Sequence, residues 1–170
     1  MNEIFLAQLV FSGSIDYDRV RIHDHKYMPF QPGSSGMTPD GEIYLEGLSS
    51  LDYAVGPVFL RAIFIHEMVH VWQKQAGVLN PIWSAIGNSL RNGFRYSRAY
   101  RYTLDPSRDL LDYRMEQQAQ IVEDYYWLFI LGFHPPSRFL SNTQVGEDLK
   151  QLYAAVLKKF LDNPSYAKSN

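Results

Sequence analysis

The 170-residue chain contains no cysteine. This excludes disulfides, thiolate-bound zinc and a cysteine nucleophile, and leaves any metal to nitrogen and oxygen ligands. Net charge is also scarce: the sum is −2 with histidine neutral, which gives no general pull toward nucleic acid or an anionic membrane. No apolar run approaches the roughly 20 residues of a spanning helix, so no membrane span is expected. The opening "MNEIFLAQLVFSGS" falls short of a Sec signal. Its first charge is Glu3, Gln8 interrupts the apolar run, and no small-residue cleavage site is clear. The 46% of apolar residues suffices for one globular domain with a hydrophobic core.

Residues 1–56 read as strands and loops. "RVRIH" (Arg19 to His23) alternates with period two, and "EIYL" (Glu42 to Leu45) reads as a second short strand. Between them Pro32, Gly33, Gly36 and Pro39 break regular structure, Asp40-Gly41 is a turn, and "GSSG" is read as a solvated turn. Pro57 suits the first turn of a helix that continues through Trp72, with Gly77 as its cap. "NPIWSAIGNSL" suggests a short amphipathic helix. Arg91, Arg95, Arg98 and Arg101 then form a basic face, read as solvated and not as a nucleic-acid site. A second long helix is expected from about Ser107 to Leu131, ended by Gly132. A third is expected from about Gln144 to Asp162, with Leu149, Leu152, Tyr153, Val156, Leu157 and Phe160 on one face. The fold class is α+β, mainly helical with a small N-terminal β-sheet.

"AIFIHEMVHVWQ" places His66, Glu67 and His70 in the most apolar of these helices. Unpaired charge there costs several kcal/mol. Histidines at i and i+4 face the same way, so both imidazoles can reach one metal. Glu67 lies about 100° around the helix, off the ligand direction but within reach of a metal-activated water. The H-E-x-x-H spacing therefore predicts a zinc site with Glu67 as general base. Two core histidines satisfied by carbonyls are the alternative.

A third ligand must come from elsewhere, because Gln73 and Ala76 occupy the positions of the glycine and third histidine of the elongated motif. "DLLDYRMEQQAQIVEDYY" supplies Glu116, with Asp112 and Glu123 on the same face and small Ala119 leaving room for a neighbouring helix. Glu116 is preferred. Asp112 is the rival, and a salt bridge from Glu116 to an arginine is the non-metal alternative. His23 and His25 share one strand face, where a second metal or a solvated strand end would fit. His134, Tyr113 and Tyr53 are open alternatives for stabilising an oxyanion.

Four blocks, "SIDYDRVRIHDHKYMPF", "MTPDGEIYL", "FIHEMVHVWQ" and "MEQQAQIVEDYY", together resemble the small zinc metallopeptidase domains associated with VgrG and Rhs proteins of bacterial type VI secretion. The resemblance implies a zincin-like fold, with residues 1–170 as a single zinc metallopeptidase domain. It implies His66, His70 and Glu116 as zinc ligands and Glu67 as the catalytic base. It also implies an antibacterial effector toxin with a protein or peptide substrate, a VgrG spike and a cognate immunity protein as partners. Such a protein would be made in the cytoplasm without a Sec signal and delivered to the target-cell periplasm. A non-catalytic binding module of the secretion apparatus with structural zinc is the second reading.

Overall fold

Pro57 stands at the N-cap of the central helix, its extended backbone turning into α2 (Val58–Ala76). Gly77 closes that helix in the left-handed region at φ 75°, its N–H reaching the carbonyls of Gln73 and Lys74. Both ends follow the sequence expectation. Between them α2 is buried almost all round from Phe64 to Gln73, as a helix threaded through a core must be. The computed structural model describes residues 2–29, 36–48, 50–78, 96–133 and 137–169. The "NPIWSAIGNSL" helix, Arg91, Arg95, His134 and the middle of "GSSG" fall outside the described residues.

The N-terminus departs from expectation. Residues 2–11 form a helix, α1 (Asn2–Phe11), instead of strand or loop, and bury Leu6, Ala7, Val10 and Phe11. The strands are shorter than the alternation suggested. β1 (Ile22–His23) and β2 (Ile43–Tyr44) pair in parallel, Ile22 opposite Ile43 and His23 opposite Tyr44. Arg19 belongs to a 3-10 turn, Tyr17–Arg19. Met37 adds an antiparallel bridge to Tyr44. The mainly helical α+β expectation, with its small N-terminal sheet, therefore holds.

The second long helix begins later than expected. A short helix, α3 (Tyr96–Tyr100), and an extended stretch precede a separate 3-10 turn, Leu110–Asp112. Asp109 caps that turn through Leu111 N–H, and Asp112 accepts from Asp109 N–H. Asp109, a candidate cap for the expected start, is thus spent on this turn, and the Ser107 hydroxyl donates to Asp105 Oδ1 instead. α4 (Met115–Tyr125) then runs along α2 and continues into one turn of π-helix, Tyr126–Ile130.

The third helix is two: α5 (Gly146–Val156) and α6 (Lys158–Asp162), broken at Leu157. Its expected face is buried except for the half-buried Leu152. Trp72 ties the far side of α2 to the C-terminal segment, donating to Pro164 O at 2.7 Å and meeting Phe160 edge-on at 5.1 Å. Hence α2 has core behind it and α4 beside it.

Candidate metal centre

α2 brings His66 and His70 onto its α4 side, and α4 supplies Glu116 from its first turn. All three are buried. Ala119, one turn further on, is fully buried, and its small side chain suits the close approach of the two helices. Glu116 Oε2 stands 3.6 Å from His66 Nε2 and 3.5 Å from His70 Nε2. One ligand atom from each of the three residues lies within 4.8 Å of the others.

These separations fit a metal-binding group better than a directly hydrogen-bonded one. They are too long for hydrogen bonds, and Glu116 Oε2 is buried without a hydrogen-bond partner among the described residues. Two ligands about 2.0–2.1 Å from one tetrahedral metal would stand about 3.3–3.4 Å apart. The nitrogen and carboxylate donor set is also one that zinc accepts. The residues present therefore fit a metal ion.

The other ring nitrogens are held away from the cluster. His66 Nδ1 lies 2.9 Å from Glu123 Oε2, and His70 Nδ1 lies 2.8 Å from Gln73 Oε1. The Gln73 amide nitrogen donates to Met115 O and Gln118 Oε1, while the Gln118 amide nitrogen donates to Tyr113 O. Those carbonyls can only accept, so the Gln73 oxygen must face His70. His70 therefore carries its proton on Nδ1 and directs Nε2 toward Glu116. The carboxylate of Glu123 imposes the same arrangement on His66.

Charge in the cluster is compatible with a bound cation. Burial disfavours protonated His66, but Glu116 and Glu123 outweigh burial and hold its pKa well above the usual value. Burial would likewise raise the Glu116 pKa, yet the two imidazoles hold it well below the usual carboxylate range. A metal cation would supply the positive charge that these carboxylates favour.

Glu67 is buried, and its charge contributes to the raised pKa of His66. Thr38 Oγ1 donates to Glu67 Oε2 at 2.6 Å. The other sequence-level candidates lie elsewhere. Asp112 is exposed in the 3-10 turn before α4. Tyr53 stacks on Phe64 and donates to Leu48 O. Tyr113 donates to Thr103 O and receives Asp105 N–H. His23 pairs with Glu42 at 2.8 Å and stacks on Tyr44, while His25 lies beside them. Among the described residues that pair forms no three-ligand group.

Sequence reasoning passed over four contributors. Glu123 was placed on the right face without a role, and Gln73 was noted only as a missing glycine. Their signal was spacing: Glu123 lies seven residues after Glu116, and Gln73 three after His70. Thr38 gave no local signal. Neither did Tyr100, whose ring lies 5.8 Å from that of His66.

Fold and site define a mainly helical α+β protein with a buried two-histidine, one-glutamate cluster between two helices. No protein-family model matches the chain. Over 163 residues, 93% of this chain, it is 38% identical to the type VI secretion system spike protein VgrG2b of Pseudomonas aeruginosa, and it spans 14% of that protein's length. The solved effector domain of Pseudomonas aeruginosa VgrG2b is similar at a TM-score of 0.65 and 37% identity, over 75% of this chain and 71% of that one. The chain belongs to the VgrG2b effector-domain family. No helix among the described residues is long and apolar enough to cross a membrane.

Proposed function

We propose that this protein is a zinc-dependent endopeptidase with a zincin-like fold, its residues 1–170 forming one such domain, and that it acts as an antibacterial effector of type VI secretion. The convergence of His66 Nε2, His70 Nε2 and Glu116 Oε2, with Glu67 buried beside them, carries the reading. No fourth His, Asp or Glu joins the three among the described residues. An open fourth position would mark a catalytic site, whereas a structural zinc would be closed by four protein ligands.

Bound zinc would lower the pKa of a coordinated water toward about 7 and polarise a substrate carbonyl. The chain's own residues would do the rest. His66, His70 and Glu116 would hold the ion, and Glu123 and Gln73 would fix the two imidazoles by their Nδ1 protons. Glu67 would take a proton from the nucleophile and return it to the leaving amine.

The similarity to a spike protein and its effector domain supports delivery on or beside a VgrG spike, and the periplasm of a target cell is the site of action we propose. A protein or peptide substrate there and a cognate immunity protein complete the proposal. The test is expression of the full chain and a Glu67→Ala variant, each directed to the periplasm or kept in the cytoplasm of a bacterial host. Growth arrest by the periplasmic wild type alone is expected. Equal toxicity of the Glu67→Ala variant would overturn the enzymatic reading.

A further inference from the structure

Glu67 is 5% exposed, and a carboxylate so far from water needs donors of its own. The segment 36–38, roughly 30 residues away in sequence, meets it. Thr38 is fully buried, so its hydroxyl has no solvent to turn to, and it donates to Glu67 Oε2 at 2.6 Å. That length is typical of a charge-assisted O–H···O⁻ bond. Gly36 closes on the other oxygen. A Cβ built on Gly36 would lie 2.1 Å from Glu67 Oε1 and 2.6 Å from its Cδ. A side chain at Gly36 would therefore displace the carboxylate of Glu67.

We propose that Thr38 and Gly36 are the positioning residues of Glu67: the threonine hydroxyl ties down Oε2, and the absent side chain of Gly36 leaves the space that Oε1 fills. This rests on the reading of Glu67 as the base of a metal centre.

The device is rigid by construction. Met37, between the two residues, exchanges backbone hydrogen bonds with Tyr44 at 3.0 and 2.9 Å, which fixes the segment to β2. Pro39 restricts the backbone of Thr38 to extended conformations, and β-branching limits its χ1. The hydroxyl therefore has a defined direction before Glu67 meets it. A glutamate has three side-chain torsions. Anchoring its oxygens from a second element removes freedom that a base must otherwise lose during reaction. The metal ligands are fixed by α2 and α4, whereas the base is fixed by α2 and the sheet.

The test uses the full chain loaded with cobalt(II), whose visible absorption reports its ligands, titrated with acetohydroxamic acid. This probe chelates a divalent metal through two oxygens and gives up its N–O–H proton, which a neighbouring carboxylate can take. Thr38→Val and Gly36→Ala should each weaken acetohydroxamate binding about 10-fold, with cobalt affinity near wild type and the melting midpoint lowered by no more than a few degrees. Thr38→Ser, which keeps the hydroxyl, should restore binding. In a Glu67→Ala background Thr38→Val should cause no further loss, because the threonine acts through that carboxylate.

Wild-type binding by both variants, while Glu67→Ala is weakened, would overturn the positioning role. So would a Thr38→Val loss that adds in full to that of Glu67→Ala. Should Thr38→Val fail to fold, Gly36→Ala carries the same comparison. A wild type that takes up no cobalt would overturn the metal-centre reading, and one that binds the probe no better than Glu67→Ala does would overturn Glu67 as its base; either takes this proposal with it.

Discussion

His66 Nδ1 lies 2.9 Å from Glu123 Oε2, so an imidazole carried by α2 is aimed by a carboxylate carried by α4. Seven residues earlier on α4, Glu116 meets the same imidazole from its Nε2 side. One helix thus both completes the cluster and orients a member of it. Glu123→Ala should weaken zinc about 10–100-fold without abolishing it, as should Gln73→Ala for His70. Competition with a chelator of known affinity measures both. Zinc binding by either variant at wild-type strength would remove these residues from the site.

Glu116→Ala should lose zinc far more severely, since it removes one of three ligands, and wild-type protein should carry one zinc per chain. Asp112→Ala should bind zinc normally. Asp112 is exposed and caps a 3-10 turn, so its loss should cost about 1 kcal/mol of stability. Elemental analysis and zinc titration of the variants side by side decide the matter. Loss of zinc from Asp112→Ala with retention by Glu116→Ala would reverse the assignment.

Glu67→Gln should keep zinc and the fold while losing hydrolysis or toxicity by about 10²–10⁴-fold, the usual contribution of a general base. The amide preserves shape and still accepts from Thr38, but it cannot take a proton. A fully active Glu67→Gln protein would exclude this mechanism.

Asp124 supplies a pH prediction. Burial, with Glu123 next to it, pushes its pKa up to about 7, although Tyr102 and Gln120 donate to it. Tyr153 completes the group through Tyr102. An unfolded aspartate titrates near ~3.9, so between about pH 4 and about pH 7 the folded state holds a proton that the unfolded state has released. Stability from this group therefore falls as pH rises through that window, by up to about 1.4 kcal/mol per unit. Melting of zinc-loaded wild type and Asp124→Asn across pH 4–8 should show wild type losing ground to the variant as pH rises. A constant difference would disprove it.

Legibility in the sequence followed the range of each interaction. His66 and His70 are four apart, and the helix repeat alone puts them together. Gly77 announces its own left-handed cap. Glu116 was legible because a carboxylate on an inward stripe requires a partner. The α1 helix was missed because Ile4, Phe5 and Leu9 are exposed while Leu6, Ala7, Val10 and Phe11 are buried. Apolar residues ring it and blur the 3.6-residue period. The start of α4 was misplaced because Asp109 and Asp112 cap a turn of their own. Thr38 reaches Glu67 across a chain separation of 29 residues, and no local pattern encodes such a meeting.

Because Glu116 and Glu123 share α4 while both histidines ride on α2, the two helices work like the halves of a clasp. A ligand that wedged them apart would withdraw a donor and an orienting group in one movement. Such an inhibitor would not have to compete with substrate for the metal. Its binding surface would be the seam between the helices, and its hallmark would be release of metal.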